Sequence, residues 1–395
     1  MFWWIILSGL GYKLELPRRS HFGAGSIARV EEAVRQFKAR KVFIISDSGV
    51  AKAGLVEHLV DVIKEHTKRV AVFDRTEPEP TIKSIESALA ALRGAGDVDL
   101  LVSLGGGSVM DTAKCANVVA MNGGSILDYE EGKDNKKEID RLLPHVAIPT
   151  TAGTGSEGTV WAIFIDPKRR FKAGIQDPRL IADMIILDPD VTTTMPPQVT
   201  AATGMDALTH AIEAFVSAYA NPFTDALSAK SVKIIADSLR TAYSDGKNVE
   251  ARGNMLLASY MAGIAFSNSS CGIVHTLAET IGGFYRISHG ITNSLMLPNV
   301  MEFNASSRRE KFSRIAELMG EDIKGTSLQS GAAKSIDAVR RLAEDIELPR
   351  TLREVGVKKK DISTLVAMAF PWANISGNPR EVTQDQLRDL YEKTF

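Results

Sequence analysis

Four side chains in the second half of the chain have the chemistry to bind one metal ion. Asp206 and His210 are four residues apart, so on a helix they lie on one face, one turn apart. Two further histidines of the chain's seven, His275 and His289, follow in the same half. Three imidazoles and one carboxylate suit Fe²⁺, Zn²⁺, Co²⁺ or Ni²⁺ and leave coordination positions open for a substrate oxygen. A solvated surface pair is the alternative reading of Asp206 and His210.

The segments around these residues predict where they lie. Residues 203–217 have helical periodicity, and their apolar stripe adjoins Asp206 and His210, so a carboxylate and an imidazole are expected near a buried side. A buried Asp is costly unless it is paired or ligated. The segment around His275 is also predicted to be helical, whereas Ile287-Ser288-His289-Gly290 is predicted to be a loop.

A triple-glycine loop carries a second kind of chemistry. Gly105, Gly106 and Gly107 follow the apolar strand candidate 100–104 and precede a helical pattern over 109–119. Glycines let the backbone approach a ligand closely, and a helix N-terminus offers N–H groups to a phosphate. Ser108 is expected to cap that helix. The loop therefore predicts a pyrophosphate cradle, with a plain tight turn as the alternative.

The usual dinucleotide-binding fingerprint is nevertheless absent. Its third glycine would fall on Met110, and its acidic ribose partner would be expected about 20 residues after the loop. The best acidic candidate, Asp47, instead ends the earlier strand candidate 42–46. A second polar loop, Pro149–Glu157, is rich in small hydroxyls and glycines that can bind a cofactor, although it could also be a simple turn. We expect a nucleotide-binding sheet without ordinary Rossmann topology.

The elements that must position these residues divide the chain. Up to residue 190, apolar strand candidates (42–46, 70–73 and 100–104) alternate with helical patterns (51–65 and 81–93), which predicts a parallel sheet covered on both faces. Beyond Pro196-Pro197, helical periodicity dominates, at 203–217, 224–243, 250–267, 307–319 and 331–345. We predict an α/β dinucleotide-binding domain over 1–190 and an all-α metal-binding domain over 191–395.

The composition of the chain excludes several classes of function. The net charge of −1 argues against nucleic-acid binding. Two cysteines, Cys115 and Cys271, predict no disulfide framework and favour a reducing cytoplasm. The apolar run Phe2–Leu7 is much shorter than the roughly 20 residues that cross a membrane, so we expect an added strand or an oligomer contact and no membrane anchor.

The motifs together resemble the iron-containing (group III) alcohol dehydrogenases. The resemblance rests on Gly105-Gly106-Gly107-Ser108-x-x-Asp111-x-x-Lys114, Pro149–Glu157, Thr200–Glu213, Gly282-Gly283-Phe284-Tyr285 with His289-Gly290, and Asn378-Pro379-Arg380. It extends from about Phe22 to the end of the chain. It implies the family's fold, shared with dehydroquinate synthase, and a metal-assisted hydride transfer between NAD(H) and a small alcohol or aldehyde.

The resemblance also implies roles for single residues. The metal ligands map onto Asp206, His210, His275 and His289, with Fe²⁺ as the family's ion and Zn²⁺ or another divalent ion as alternatives. The cofactor contacts map onto the following positions: Asp47, Gly106, Gly107, Ser108, Asp111, Thr150, Thr151, Thr154 and Lys172. Asp47 favours NAD(H) over NADP(H), because a carboxylate repels a 2′-phosphate. A homodimer or larger homo-oligomer is also implied.

One position departs from the family pattern. Many members have a histidine four residues after the third ligand, where this chain has Glu279. Glu279 is therefore a candidate proton relay or a carboxylate that orients a ligand, and lining the pocket is the alternative. A polyol dehydrogenase, a dehydroquinate-synthase-like lyase and a nucleotide-binding relative without catalysis remain as alternative functions. The sequence does not rank short alcohols, diols, lactaldehyde or longer aldehydes as substrates.

Overall fold

The computed structural model describes residues 11–373 and 376–395, and the Phe2–Leu7 run lies outside them. The chain divides into two compact units. The first contains the described residues up to Thr150 together with Ser156–Pro167 and Ala173–Asp188, and the second contains Thr151–Gly155, Lys168–Lys172 and Pro189–Phe395. Three pieces that the sequence predicts in the first domain belong to the second unit: Thr151–Gly155, Lys168–Lys172 and residues 189–190. The boundary between residues 190 and 191 stays a prediction.

The first unit is built on a parallel sheet, as the alternation of patterns predicted. The strands are β1 (Ser20–Phe22), β2 (Lys41–Ile45), β3 (Arg69–Phe73), β4 (Leu100–Gly105), β5 (His145–Pro149), β6 (Trp161–Asp166), β7 (Phe171–Gln176) and β8 (Met184–Leu187). Six of them form one sheet in the order β1-β8-β5-β4-β2-β3 with every pairing parallel, and β6 and β7 form a separate two-stranded sheet. The helices of this unit are α1 (Val30–Gln36), α2 (Ser48–Lys52), α3 (Leu55–Lys64), α4 (Ile82–Gly94) and α5 (Gly107–Asn122).

The strand order explains where a ligand can bind. Leaving out the added β1, the chain order within the sheet runs 2-1-3-4-5, as in doubly wound folds that bind ligands where the order reverses. That point lies between β2 and β4, which pair from Val42↔Leu100 to Ile45↔Ser103. Asp47 follows β2 and Gly106 follows β4, so both lie at the carboxyl ends of these strands.

The expectation that both faces of the sheet are covered is wrong for β3. Val72 is 41% exposed, whereas all six residues of β4 are buried. The reason is position, because β3 is an edge strand with a neighbour on one side only. A sequence pattern of four apolar residues does not distinguish a central strand from an edge strand.

A buried ammonium group organises the first unit around α5. The Lys114 Nζ donates to the carbonyl oxygens of Ser156 (2.5 Å), Thr159 (3.1 Å) and Trp161 (2.8 Å). Burial lowers the pKa of Lys114 to about 8, although Asp111 opposes the shift. Burial likewise raises the pKa of Glu157 from 4.5 to about 7, and the charge of Lys114 limits this rise. The lysine therefore binds residues 156–161 to α5 much as a bound cation would.

The second unit contains helices and, apart from the first two residues of β7, no strand among its described residues. The helices are α6 (Pro197–Val216), α7 (Pro222–Ser244), α8 (Val249–Ser267), α9 (Ile273–Tyr285), α10 (His289–Asn304), α11 (Arg309–Leu318), α12 (Leu328–Asp345), α13 (Ile362–Ala373) and α14 (Gln384–Thr394). The α6 helix begins at Pro197, the position where proline is tolerated because the missing N–H would have no partner. The buried Arg252 of α8 secures this start by donating to Met195 O (3.0 Å) and Thr200 Oγ1 (2.6 Å).

The prediction of a loop at His289 is wrong, because His289 is the first residue of α10. Its neighbour Gly290 is needed for close packing. A Cβ at this position would lie 2.1 Å from the carbonyl oxygen of Ala202 in α6. A His-Gly pair that looks like a turn signal in sequence is thus a contact point between two helices.

Glycines of the second polar loop are likewise needed for close packing between segments. A Cβ on Gly153 would lie 2.7 Å from the Thr203 Cβ, and one on Gly155 would lie 2.6 Å from the Ser259 carbonyl oxygen. These contacts place Thr151–Gly155 against α6 and α8.

Among the described residues, no helix combines the length and apolar character needed to span a membrane.

We expect Glu157→Gln to change stability in a pH-dependent way. Because the folded-state pKa of Glu157 (about 7) lies above its unfolded value of 4.5, the stabilisation present in acid is lost as pH rises through 7. Relative to the wild type, the free energy of unfolding of the variant should therefore increase by up to about 3 kcal/mol between pH 4.5 and 8, at about 1.4 kcal/mol per pKa unit. Urea unfolding at several pH values measures this. Glu57→Gln, at an exposed position of α3, is the matched control, and curves that stay parallel for Glu157→Gln would contradict the assignment.

Candidate metal centre and cofactor site

The α6 helix brings a carboxylate and an imidazole to its buried side. Asp206 is 3% exposed and His210 is 4% exposed, and the Asp206 Oδ2 lies 4.0 Å from the His210 Nδ1. The His210 ring stacks on Phe266 of α8, with centroids 4.4 Å apart and planes at 17°. The His210 Nδ1 is buried and has no hydrogen-bond partner among the described residues. A surface pair, the alternative for these two residues, is therefore excluded.

Glu213, one turn further along α6, holds His275 in a single orientation. Its Oε1 accepts from the backbone N–H of Val274 (2.7 Å), and its Oε2 lies 2.6 Å from the His275 Nδ1. The carboxylate therefore caps the N-terminus of α9, where negative charge is favoured. When the ring is neutral and Nδ1 donates to Glu213, the His275 Nε2 carries the free lone pair. Gly272 leaves room for this contact, because a Cβ there would lie 2.7 Å from the Glu213 Oε1.

Three acceptors converge on one amide group. The Asn293 Nδ2 lies 2.7 Å from the Asp206 Oδ1, 3.3 Å from the His275 Nε2 and 3.1 Å from the His289 Nε2. An amide nitrogen carries two hydrogens, so it cannot donate to all three acceptors. The Asn293 Oδ1 is buried and has no partner among the described residues. This surplus of buried lone pairs fits a cation.

The protonation states of two imidazoles also suit a metal. Burial, with a smaller contribution from His275, holds the pKa of His210 well below its ordinary value. Burial, followed by the positive charge of Lys172, does the same for the pKa of His289. Burial alone would lower the pKa of His275, but Cys271 and Glu213 outweigh it and raise that pKa. His210 and His289 are thus neutral near pH 7, the form in which histidine ligates metals.

The structure brings the four predicted ligands into one region, but their ligand atoms do not all lie within the same short distance of one another. Ligand atoms of Asp206, His275 and His289 lie within 4.8 Å of one another. His210 instead forms a second set of the same spread with Cys271 and His275. The residue types and their burial fit an Fe²⁺ or Zn²⁺ site, and their roles as ligands remain predictions.

Glu279 lies one turn after His275 on α9 and is half-buried. Its charge contributes to raising the pKa of the Cys271 thiol, for which burial is the largest cause. Glu279 is therefore near the His275 end of the centre, and its catalytic role remains a prediction.

Sequence reasoning missed two residues of this centre, Glu213 and Asn293. A signal was available for each. Glu213 is three residues after His210 and seven after Asp206, so all three share one helix face. Asn293 is four residues after His289, but the loop prediction for His289 concealed that spacing.

The triple-glycine loop offers open backbone donors. Gly106 is the N-cap residue of α5 and has extended backbone angles, and no side chain caps this helix. The expectation that Ser108 caps it is wrong, because Ser108 lies inside α5 and its Oγ accepts from the backbone N–H of Glu79 (3.1 Å). Gly105 is required for the tight turn, since a Cβ there would lie 2.4 Å from the Val109 Cγ2. The uncapped N-terminus of α5 fits a phosphate group.

Asp47 and Asp111 lie close to this loop in the fold. The Asp47 Oδ1 caps α2 by accepting from Gly49 N (2.7 Å) and Val50 N (3.0 Å). The Asp111 Oδ1 accepts from the Ser156 Oγ (2.8 Å). Burial raises the pKa of Asp111 to about 6, although the positive charge of Lys114 opposes this rise.

The remaining predicted cofactor residues are divided between the two units. Thr150 follows β5, and its N–H donates to Gly105 O (3.0 Å), whereas Thr151 and Thr154 belong to the second unit. Lys172 also belongs to the second unit, where its Nζ lies beside Gly282 of α9 and its charge acts on His289. The cofactor contacts of all these residues remain predictions.

Comparison with known proteins gives matches over nearly the whole chain. The model of the iron-containing alcohol dehydrogenases matches residues 17–189, and that of the C-terminal part of the Fe-containing alcohol dehydrogenase family matches residues 200–395. The NAD-dependent methanol dehydrogenase of Bacillus methanolicus is 38% identical over 380 residues, covering 96% of this chain and 99% of that protein. The choline dehydrogenase of Bacillus subtilis (strain 168) is 36% identical over 384 residues, covering 97% and 95%. A solved structure of a 1,3-propanediol oxidoreductase superimposes with a TM-score of 0.93 at 36% identity, covering 98% of this chain and 100% of that chain.

We expect Glu213→Gln to weaken metal binding. The amide keeps the volume but loses the charge that orients and polarises His275, and loss of such a partner typically lowers metal affinity about 10- to 100-fold. Calorimetric titration of metal-free protein with Zn²⁺ measures the change. Glu250→Gln, at an exposed position in the first turn of α8, is the matched control. Equal affinities of wild type and Glu213→Gln would show that this hydrogen bond does not support the metal.

Proposed function

Because the chain belongs to the iron-containing alcohol dehydrogenase family, we propose that it interconverts a small alcohol and its aldehyde or ketone, using NAD(H) and a divalent metal ion. The chain is an oxidoreductase of this family. The observation that supports the metal-assisted reaction best is the convergence of a carboxylate oxygen of Asp206 and ring nitrogens of His275 and His289 on a single amide nitrogen.

Asp206, His210, His275 and His289 would hold the cation. When bound, a divalent ion supplies Lewis acidity that polarises a carbonyl oxygen or lowers the pKa of an alcohol. With a divalent ion bound, one carboxylate and three neutral imidazoles would leave the site with a net positive charge, which favours an alkoxide over an alcohol. Asp206 contributes the negative charge, and Glu213 keeps the His275 lone pair directed at the site.

Other side chains of the second unit shape this environment. Phe266 covers one face of His210 and excludes water from it. Lys172, which is 9% exposed, adds positive charge near His289 and so disfavours protonation of that ligand. The amide of Asn293 donates to the Asp206 Oδ1 and so fixes the carboxylate.

Cofactor binding is assigned to the carboxyl ends of the strands in the first unit. The uncapped N-terminus of α5 would bind the pyrophosphate, and Asp47 would accept hydrogen bonds from ribose hydroxyls. NAD(H) supplies or accepts the hydride. The methanol dehydrogenase relative is named as NAD-dependent, which agrees with the presence of a carboxylate at Asp47.

The substrate is proposed as a small polar alcohol. Related proteins are named for methanol, choline and 1,3-propanediol, and another is the lactaldehyde reductase of Escherichia coli (strain K12), at 35% identity. Family membership favours a dehydrogenase over the lyase alternative. A cytoplasmic location and a homo-oligomeric state remain proposals, and the first agrees with Cys115 and Cys271 both being free thiols.

Metal-dependent NADH oxidation tests the proposal. Protein stripped with a chelator would be reloaded with Fe²⁺ or Zn²⁺ and assayed with short aldehydes by the near-ultraviolet absorbance of NADH. We expect turnover only after reloading, and a kcat/KM for NADH at least about 10-fold above that for NADPH, since each 1.4 kcal/mol of discrimination gives a factor of ten. Asp206→Asn protein treated in the same way is the control, and it should regain little activity.

The negative result is equally informative. Tight binding of metal and NADH without turnover of any aldehyde would support the alternative of a relative without catalysis. Aldehydes that carry a phosphonate or sulfonate group would be tested before that conclusion. Full activity of the metal-free protein would contradict the metal-assisted mechanism.

Glu279→Gln separates the roles proposed for Glu279. If the carboxylate carries a proton, kcat should fall about 10²-fold or more and one limb of the pH–rate profile should disappear, while metal affinity stays unchanged. If it orients a ligand, metal affinity should fall instead, as for Glu213→Gln. An unchanged pH–rate profile together with unchanged affinity would leave Glu279 as a pocket-lining residue only.

A further inference from the structure

A second set of ligand atoms overlaps the proposed iron site and adds a thiol, which nothing in the family assignment accounts for. The thiol of Cys271 and one ring nitrogen each of His210 and His275 lie within 4.8 Å of one another. Cys271 is four residues before His275, is half-buried and forms no disulfide. We propose that Cys271, His210 and His275 form an alternative binding set for thiophilic cations such as Zn²⁺ and Cd²⁺, which competes with the set of Asp206, His275 and His289.

The spacing is close to what a tetrahedral ion requires. With Zn–N bonds of about 2.0 Å and Zn–S bonds of about 2.3 Å, ligand atoms around zinc lie roughly 3.3 to 3.7 Å apart. An upper limit of 4.8 Å therefore requires each side chain to move by about 1 Å or less. Rotation of side chains covers that range without movement of α6 or α9.

The environment of His210 is an independent sign of a missing ligand. Its side chain is 4% exposed, and its Nδ1 is buried without a hydrogen-bond partner among the described residues. Stacking on Phe266 and contact with the His275 ring, whose centroid is 4.4 Å away, limit the imidazole to small rotations about its present orientation. A buried imidazole nitrogen without a partner is costly, and a bound cation would satisfy it.

The two sets differ in chemical softness and share a ligand. One set contributes a carboxylate oxygen and two imidazoles, whereas the other contributes a sulfur and two imidazoles, and thiolates select soft or borderline cations. Because both sets include His275, two divalent cations would be held close together and repel each other strongly. A soft cation would thus displace Fe²⁺ from His275 and would not be bound by Asp206 or His289.

Binding at Cys271 also changes the protonation balance. The thiol must lose its proton to become a ligand, so each bound cation releases one proton to solvent as the sulfur–metal bond forms. No oxidant or reductant takes part. The inference concerns metal binding alone and does not require the proposed reaction to be correct.

Ultraviolet difference absorption of the full-length, metal-free protein titrated with Cd²⁺ tests the inference. A thiolate bound to cadmium produces a charge-transfer band, and we expect the band to saturate at one equivalent of Cd²⁺. The band should be absent from Cys271→Ser. It should persist in Cys115→Ser, which makes the same change at the buried cysteine of α5. It should also persist in Asp206→Asn, which changes a residue that is a member of the other set only.

Three outcomes would overturn the inference: no band in the wild type, a band that survives in Cys271→Ser, or a band that is lost in Asp206→Asn. If Cys271→Ser fails to fold, alkylation of wild-type protein decides instead, because Cys271 is half-buried while Cys115 is 0% exposed. Saturating Cd²⁺ should then slow iodoacetamide labelling of Cys271 at least about 10-fold, a coupling of about 1.4 kcal/mol, and an unchanged rate would refute the site. A cadmium band without NADH turnover would count against the proposed function only, and turnover without the band would count against this inference only.

Discussion

The carboxylate of Glu213 is the interaction on which the metal centre depends. It is buried at the N-terminus of α9, where it accepts from a backbone N–H and from the His275 ring at the same time. One side chain of α6 therefore fixes both where α9 begins and how its ligand is oriented. Asn378 from the C-terminal part of the chain contributes to the same end, since its Oδ1 accepts from the Asn304 Nδ2 (2.7 Å) and lies 3.5 Å from the Ile273 N. The Asn-Pro-Arg segment that looks isolated in sequence is thus part of the support for α9.

In the first unit, a buried positive charge, that of Lys114, fixes neighbouring segments as the Glu213 carboxylate does in the second. Lys114 is buried and is surrounded by carbonyl oxygens of residues 156–161, with Asp111 and Glu157 contributing negative charge. Buried charges are expensive unless hydrogen bonds replace water, so each unit can hold such a group in only one arrangement of its neighbours. Both groups lie beside the residues assigned to ligand binding, which restricts the motion of those residues.

Two residues that flank His275 change the set of chemical groups around this ligand. Cys271 lies one turn before the ligand and Glu279 one turn after it. One adds a soft sulfur, and the other adds a carboxylate at the position where the family resemblance leads us to expect an imidazole. Both act on His275 and on the charge around it, so metal preference and proton transfer are expected to depend on each other in this enzyme. The contact between Cys271 and His275 provides a direct physical path for that dependence.

The sequence by itself determined the parallel sheet, the helical second half and the helix face shared by Asp206 and His210, because these follow from local periodicity. Residue types and spacing predicted the glycine loop and the group of four metal-binding side chains, and motif resemblance supported their prediction as ligands. Tertiary structure decided what depends on contacts between distant segments. His289 begins a helix because Gly290 allows close packing on Ala202, and Glu213 and Asn293 become part of the centre because α6, α9 and α10 meet there. Likewise, the Ser108 Oγ accepts from the backbone N–H of Glu79 and does not cap α5. This donor belongs to another loop, so the local sequence around Ser108 does not reveal it. Periodicity reports how a residue is placed on its own element, whereas partners across elements are decided by packing, and that is where the sequence-based interpretation failed.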